Sequence, residues 1–455
     1  MKNKTIFSLS TAPGLAGISV IRSSGPSSLK ILQKITGKKK FKPRYSYYGP
    51  MFSESSKSLL DKGIYIWFPG PKSYTGEDMF EFHLHGGRAV SESMLNYLSK
   101  QKDFRLAEPG EFTRRAFVNN KLSLIEVEAI SDLIHAETEA QRIQASRQLG
   151  GELSEKYAVW SSKIKNMLAN TEAAIDFSDE ELPKNLLKNI GKEVKSLSKD
   201  LDVHLQDGRR GERLREGYLI AVIGFSNVGK SSLVNRICQR DATIVSKIPG
   251  TTRDSIEIHL DLSGYAVTLI DTAGIRKTTD IIEIEGIKRT NEAAGKVDQR
   301  FVVVPSNLSK SRVAKVCRML KDGDFLIVNK MDLLRQVSDF KRKIYNFFPN
   351  FPKKNIFFCS ALRGHGIIEI IKSIQKRLSA EIGYFPKGDV YMTRARHRES
   401  LEKTSNFLKK SIYNNDLELI AEDLRSAMKE IGKITGKVAV EDILDVIFRE
   451  FCIGK

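Results

Sequence analysis

Eight consecutive residues, Gly224-Phe-Ser-Asn-Val-Gly-Lys-Ser231, have the types and spacing that grip phosphate. Phosphate oxygens need several backbone N–H groups converging on one point. Glycines let the backbone come that close, and a helix opening at the lysine adds its positive end. Lys230 is then placed to reach β- and γ-phosphates, and the Ser231 hydroxyl to ligate Mg²⁺. Four further elements follow in order. Gly250-Thr-Thr-Arg-Asp254 offers a second hydroxyl for the metal. Asp271-Thr-Ala-Gly274 offers a carboxylate for the metal and a glycine that senses the γ-phosphate. Asn329-Lys-Met-Asp332 offers a carboxylate that accepts from guanine N1 and N2, donors that adenine lacks. Ser360-Ala-Leu362 completes the set. A glycine loop alone recurs by chance, but five ordered elements predict a guanine-nucleotide site.

These residues need strands to hold them, and the sequence supplies apolar runs ahead of most of them. Leu219–Ile223 precedes the glycine loop, Val267–Ile270 the Asp-x-x-Gly, Phe325–Val328 the Asn-Lys-x-Asp, and Ile356–Phe358 the last element. The pattern predicts an α/β module with a mostly parallel sheet over about residues 217–378. One expected group is missing. Ras-like switches carry a glutamine after the Asp-x-x-Gly to orient the attacking water. Ile275 stands there, so hydrolysis must recruit another group, a cation or a second subunit, or else be slow and need an external activator.

The remaining chain reads as separate domains. Residues 1–118 look α+β, with short strands at Ile18–Ile21 and Ile64–Phe68. Met79–His85 alternates and places Glu81, His83 and His85 on one face, which reads as a polar strand face rather than a metal site. From Leu122 the spacing is helical, through Ile130, Leu133 and Ile134, with a break near Gly150-Gly151 and a continuation to Ile175 that Asp179–Pro183 ends. An amphipathic stretch from Leu186 to about Leu205 leads to a boundary at Gly208–Gly211. After Tyr384–Gly388 the chain is helical again to near Phe451. A helical domain in two halves, 119–216 and 379–455, with the nucleotide module inserted between them, is the simplest arrangement.

Composition bounds the partners. The 455 residues suffice for two to four domains, and 41% hydrophobic with 28% charged residues is ordinary for a soluble chain. The formal net charge of +19 favours a polyanion, nucleic acid before an acidic membrane; a solvated basic surface is the competing reading. The dense run Lys38-Lys-Lys-Phe-Lys42 reads first as an exposed loop. Cys238, Cys317, Cys359 and Cys452 form no Cys-x-x-Cys, which fits a reducing cytoplasm. No run approaches membrane-spanning length, so no stable membrane insertion is expected and the chain reads as cytosolic or peripherally associated. The terminal Cys452-Ile-Gly-Lys455 either enters a site or is a frayed tail; the residues alone leave both open.

The chain resembles, over its full length, the MnmE (TrmE) family of tRNA modification GTPases. The resemblance rests on Thr11–Arg22, Ser73–Asp78 with Glu81, His85-Gly-Gly87, Glu108–Thr113, Asn120–Leu122, Ile175–Phe177, Leu214–Gly217, the nucleotide motifs, and the terminal Cys-Ile-Gly-Lys. It implies a cytoplasmic homodimer joined through the N-terminal domain. It also implies an FAD-containing MnmG (GidA)-type partner, the two forming a heterotetramer or larger. The pair adds an aminomethyl or carboxymethylaminomethyl group to C5 of the wobble uridine of certain tRNAs. By the same resemblance the one-carbon donor would be a 5-formyl or methylene tetrahydrofolate held by Arg22, Glu81, Lys121 and Lys455. Arg22 and Lys121 suit carboxylates and carbonyls, and Glu81 suits pterin N–H groups.

The resemblance also implies how the missing glutamine is replaced. Nucleotide domains pair around K⁺, whose ligands map to Asn227, Ser246, Ile248 and Thr251, the middle two through carbonyls. Mg²⁺ falls to Ser231 and Thr252, and the water-orienting carboxylate to Glu283, with Glu285 a competitor and a solvated switch charge the bland alternative. The nucleotide contacts then run through Asn227, Val228, Gly229, Lys230, Ser231 and Ser232, and through Ser246, Lys247, Ile248, Pro249, Gly250, Thr251 and Thr252. Asp271, Thr272, Ala273 and Gly274 follow, then Asn329, Lys330 and Asp332, then Ser360, Ala361 and Leu362. The sequence departs from the family at Ser226, usually proline; at Lys247 and Pro249, where an acid and a small residue are commoner; and at Val304-Pro-Ser306, which lacks an aspartate. Two other classes fit parts of the pattern. A ribosome-assembly GTPase would carry an RNA-binding module after the nucleotide domain or a second GTPase domain, where this chain reads as an inserted domain and ends in Cys-Ile-Gly-Lys; a membrane-remodelling GTPase would carry a basic amphipathic helix with exposed aromatics, and none is evident.

Overall fold

Alternating side chains make the N-terminal segment a sheet with one broadly apolar face and a smaller apolar cluster on the other. A computed structural model describes residues 4–53, 58–176, 186–239, 243–249, 256–271, 297–381, 391–414, 416–438, 441–449, 451 and 454. Its strands β1 (Thr5–Leu9), β2 (Ile18–Ser24), β3 (Ser46–Phe52), β4 (Leu59–Phe68), β5 (Met79–His85) and β6 (Phe104–Leu106) form one sheet in the order β3-β4-β5-β2-β1-β6. Only the β1–β6 pair is parallel. Helices α1 (Ser28–Thr36) and α2 (Arg88–Ser99) place Ile31, Leu32, Ile35, Met94 and Leu98 against Ile21, Trp67, Phe80 and Phe82 of the sheet. Each such side chain contributes about 2 kcal/mol over its exposed state, enough to fix the register, because a one-residue slip would expose the whole row. Glu81 and His83 lie on the opposite face, as the alternation predicts.

Two compact units emerge. The first comprises Met1–Ile134, Arg147–Leu201 and Glu399–Lys455, the second His135–Ser146 and Asp202–Arg398. In the first unit α3 (Glu111–Val118) leads to α4 (Leu124–His135), which opens on a reciprocal cap: Glu126 N donates to Ser123 Oγ at 3.3 Å and Ser123 N to Glu126 Oε2 at 2.6 Å. Long helix α6 (Glu152–Asp176) buries Leu153, Tyr157, Trp160, Ile164, Met167, Thr171 and Ala174, alternating steps of four and three. That stripe packs on α14 (Leu417–Thr435), which buries Ala421, Leu424, Ala427 and Ile431. Amphipathic α7 (Leu186–Leu205) starts in this unit and α13 (Ala395–Tyr413) ends in it. The last helix, α15 (Glu441–Arg449), sets Ile447 and Phe448, with Phe451 beyond it, against Leu124 and Val127 of α4.

The predicted helix from Leu122 to Gly150 is interrupted. It ends at His135 and restarts as α5 (Glu139–Leu149). Thr138 and Gln141 cap the restart, Thr138 N donating to Gln141 Oε1 at 3.1 Å and Gln141 N to Thr138 Oγ1 at 3.3 Å. Thr138-Glu-Ala-Gln141 is a legible capping box that the periodicity masks. The predicted stop at Asp179–Pro183 and the junction Tyr384–Gly388 lie outside the described residues.

The second unit holds a seven-stranded sheet of order β13-β12-β11-β7-β10-β9-β8. Its strands are β7 (Tyr218–Gly224), β8 (Thr243–Pro249), β9 (Ile256–Leu262), β10 (Tyr265–Asp271), β11 (Gln299–Pro305), β12 (Phe325–Asn329) and β13 (Ile356–Phe358). The four neighbour pairs from β13 to β10 are parallel, and β8 and β9 join antiparallel at one edge. Short α8 (Arg210–Glu216) leads into β7. Helices α9 (Lys230–Cys238) and α12 (Ile367–Glu381) belong to one apolar cluster with the sheet; α10 (Lys310–Met319) and α11 (Val337–Phe347) supply Val316 and Ile344 to a second. Central strands buried on both faces explain the near-continuous apolar runs Ile220–Ile223 and Phe301–Val304. Among the described residues no helix is long and apolar enough to cross a membrane.

Candidate functional site

Strand β7 lies where the order of the second sheet reverses, between β10 and β11. In an open parallel sheet, ligands bind outside the strand ends at such a point. The glycine loop leaves the C-terminal end of β7 there and enters α9 at Lys230. Gly229 takes φ +92°, and a Cβ on it would collide with the Asn329 side-chain amide. Asn227 also takes a left-handed φ, +58°, at the exposed lip of the loop. Lys230 is buried, and its ammonium donates to the carbonyls of Gly224 at 2.7 Å and Phe225 at 3.0 Å. The loop is therefore wrapped round a cation. Ser231 and Ser232 are exposed in the first turn of α9.

Asn329 joins three motifs. Only 2% exposed at the end of β12, it donates through Nδ2 to the Val228 carbonyl at 2.9 Å, and its Oδ1 accepts from the Ala361 amide at 2.9 Å. The neighbouring Lys330 Nζ donates to the Asn227 carbonyl at 2.6 Å, and Ser306 Oγ to the Lys330 carbonyl at 2.8 Å. Ser306 thus braces the backbone of the Asn-Lys-x-Asp motif. Ser360 Oγ donates to the exposed Asp332 carboxylate, and Arg236 Nε to the Ala361 carbonyl at 2.8 Å. The phosphate-type loop, the Asn-Lys-x-Asp and the Ser-Ala-Leu form one hydrogen-bonded body. It presents a glycine-lined turn at one end and a carboxylate with planar acceptor geometry at the other. Cys359 lies beneath it, its thiol pushed up to about 12 by burial and then by the Asp332 charge, which makes it inert packing.

Ser246, Lys247, Ile248 and Pro249 belong to the edge strand β8, where Ser246 pairs with His259 and Ile248 with Glu257 of β9. Asp271 closes β10 beside Val222 of β7. The side chains of these five residues lie outside the described set, as do Gly250, Thr251, Thr252, Thr272, Ala273, Gly274, Ile275, Glu283 and Glu285.

In the first unit Arg22 and Glu81 meet across β2 and β5, Arg22 Nε donating to Glu81 Oε1 at 2.9 Å. Arg22 also lies 5.7 Å from the Tyr74 ring centre and 5.9 Å from that of Phe112. Burial raises the Tyr74 phenol, whose oxygen lies 2.9 Å from Thr113 Oγ1. Asn119 and Arg115 hold the Tyr74 loop, Asn119 Nδ2 donating to the Thr75 carbonyl at 2.6 Å and Arg115 pairing with Glu77 at 2.8 Å. The exposed Lys121 borders that loop at Gly76. A half-buried ion pair between two aromatic rings can hold a flat heteroaromatic ligand with polar edges. Lys455 lies outside the described residues; its neighbour Gly454 is buried at the end of β1. His83 and His85 sit beside carboxylates, Glu81 at 3.4 Å and Asp61 at 2.8 Å. Among the described residues no cluster of three or more such groups could hold a metal.

Comparison with known proteins accords with both halves. The family model "MnmE helical domain" matches residues 124–452, and "GTP-binding protein TrmE N-terminus" matches 5–121. A tRNA modification GTPase MnmE of Parvibaculum lavamentivorans is 44% identical over 458 residues, covering 99% of this chain and all of its own. One from Rickettsia bellii is 42% identical over 457 residues, with 99% and 100% covered. The mitochondrial 5-taurinomethyluridine-tRNA synthase subunit GTPB3 of Danio rerio is 42% identical over 468 residues, with 99% of this chain and 93% of its own covered. Loop, base-reading motif, N-terminal sheet and terminal helices are matched together along one chain, and the chain belongs to the MnmE family of tRNA modification GTPases.

Proposed function

We propose that this GTPase is potassium-activated and works with an FAD-dependent partner. Together they add an aminomethyl or carboxymethylaminomethyl group to C5 of the wobble uridine of certain tRNAs, drawing one carbon from a tetrahydrofolate. The observation that carries the nucleotide half is the Asn329 bridge, which fixes the phosphate-type loop against the base-reading motif. In this reading Lys230 binds the β- and γ-phosphates and Asp332 reads guanine. Ser231, with Thr252, would hold Mg²⁺; an exposed hydroxyl at the first turn of α9 suits a hard cation. Asn227, with Ser246, Ile248 and Thr251, would hold K⁺, and an edge strand such as β8 has backbone groups to offer. When bound there, K⁺ would supply positive charge beside the phosphates, and Glu283 would orient the water.

The ion pair of Arg22 and Glu81, with Tyr74 and Phe112 as walls, fits the folate, with Lys121 and Lys455 completing the site. The sheet face that carries the pair also exposes Tyr48 (68%), Ile18 (60%) and Ile64 (38%), apolar surface that supports a homodimer through this domain. Division at residues 118, 216 and 378, with the nucleotide module inserted, is proposed on the same footing. Nucleoside mass spectrometry of tRNA from cells lacking the protein tests the whole reading. Loss of the 5-substituted wobble uridine is expected, and an unchanged nucleoside profile would overturn it.

A further inference from the structure

The first 53 residues contain ten lysines and arginines and no aspartate or glutamate. Seven of those cations fall between Lys30 and Arg44. They sit on α1 and on the connection from α1 to β3, and the structure makes that connection a fixed shape. Gln33 Nε2 donates to the Lys39 carbonyl at 2.8 Å, Lys42 N to the Tyr47 hydroxyl at 2.8 Å, and Arg44 N to the Trp67 carbonyl at 2.8 Å. Phe41 packs edge-on against Tyr47 at 5.6 Å, and Tyr47 stacks on Tyr65 at 5.8 Å. The Lys38 ammonium lies 4.1 Å from the centre of the Tyr47 ring. An open groove of about 670 Å³, lined by Lys30, Gln33, Lys34, Gly37, Lys38 and Lys39, runs along this ridge. Lys30, Lys38, Lys39, Lys40 and Lys42 are all exposed, with no carboxylate in ion-pair range among the described residues.

A loop that is merely solvated has no need of three backbone clamps and an aromatic base. A rigid row of cations beside an exposed aromatic ring, Tyr45 at 51%, matches a phosphodiester backbone with an unstacked base. An acidic membrane offers the same charge but needs an apolar anchor. Between α1 and β3 Tyr45 is the sole exposed large apolar side chain, and it ends in a hydroxyl.

We propose that the Lys30–Lys42 ridge with Tyr45 is a docking surface for the sugar-phosphate backbone of structured RNA, the tRNA substrate under the function proposed above, on which this inference rests. The test uses the full chain and an unmodified tRNA transcript, with binding followed by fluorescence anisotropy across a salt series. Replacing Lys38, Lys39, Lys40 and Lys42 by alanine should weaken binding at least ten-fold and flatten the salt dependence by about three phosphate contacts, each worth roughly 0.7–0.9 in log–log slope. Tyr45→Ala should weaken binding about five-fold or more with the slope unchanged, since stacking releases no counterions. GTP hydrolysis and melting temperature should hold in both variants. Wild-type affinity and slope in the lysine variant would overturn the surface alone. So would lysine-dependent binding to vesicles containing 30% anionic lipid with tRNA binding intact, which would assign the ridge to a membrane. A wild-type protein that bound no tRNA would instead remove the functional reading and the surface with it.

Discussion

Ser10 and Gly454, 444 residues apart, are joined by a hydrogen bond in which the serine hydroxyl donates to the glycine carbonyl at 3.0 Å. Gly454 takes φ +102°, and a Cβ there would collide with the Leu9 carbonyl. Leu9 pairs with Ile21, the residue before Arg22. Gly454 is thus seated at the margin of the sheet that carries the Arg22–Glu81 pair.

A side chain at position 454 should therefore unseat the tail without unfolding the domain. Gly454→Ala, like removal of Cys452–Lys455, is expected to keep GTP hydrolysis and to lower the melting temperature by no more than about 2 °C, because little else depends on terminal residues. Wobble-uridine modification should be lost in both. Normal modified nucleosides in a deletion strain carrying either variant would show that the terminal four residues have no part in the reaction.

Asn329→Ala should act on the nucleotide site as a whole. It leaves the Val228 carbonyl and the Ala361 amide without their partner in a buried place, a cost of about 2–3 kcal/mol. Urea unfolding should register that loss. Affinities for GTP and xanthosine triphosphate should fall together, because the loop and the base-reading motif come apart.

Asp332→Asn should instead separate the two nucleotides. The carboxylate becomes an amide, so GTP weakens and xanthosine triphosphate strengthens, while the fold is little changed because Asp332 is exposed. Competition binding reads the exchange, and an unaltered preference would count against guanine recognition.

Asn227→Ala tests the cation. Hydrolysis by the wild-type protein should be much faster in K⁺ than in Na⁺, and the variant should remove the difference. Asn227 is exposed but holds a left-handed φ of +58°, which alanine tolerates less well, so circular dichroism and GTP affinity must match the wild type for the salt comparison to count. Equal wild-type rates in the two salts would refute potassium activation.

The local half of this architecture is legible in the residues. Met79–His85 alternates and is a strand over those same residues, and Leu219–Ile223 lies within β7 because apolar runs before glycine loops have little choice. β8 escapes a sequence reading, whereas β9, Ile256-Glu-Ile-His-Leu-Asp-Leu262, alternates strictly and is legible. Thr243–Pro249 carries serine, lysine and proline and owes its strand form to pairing with β9 at a sheet edge. The five ordered motifs predict a site, yet not the means by which it coheres. Val228 and Asn329 are separated by 101 residues, and no periodicity announces that contact. Arg398 is equally silent in sequence. It is buried, with Nε bonded to Glu212 at 2.6 Å, and it also bonds Asp207 and the Leu205 carbonyl. Partners nearly two hundred residues away leave no mark on a local pattern.

That arginine clamp, with Gly211 packed so tightly on Met392 that no Cβ could fit, ties the segment leading into the nucleotide-binding sheet to the segment leading out of it. A polypeptide loop whose two ends are stapled pays its closure entropy once, at the staple, and that cost grows only with the logarithm of the length enclosed. Under the proposed insertion, changes in the length of residues 213–391 should therefore cost little beyond the staple itself. Within the second unit, Arg398 is the clasp of that loop.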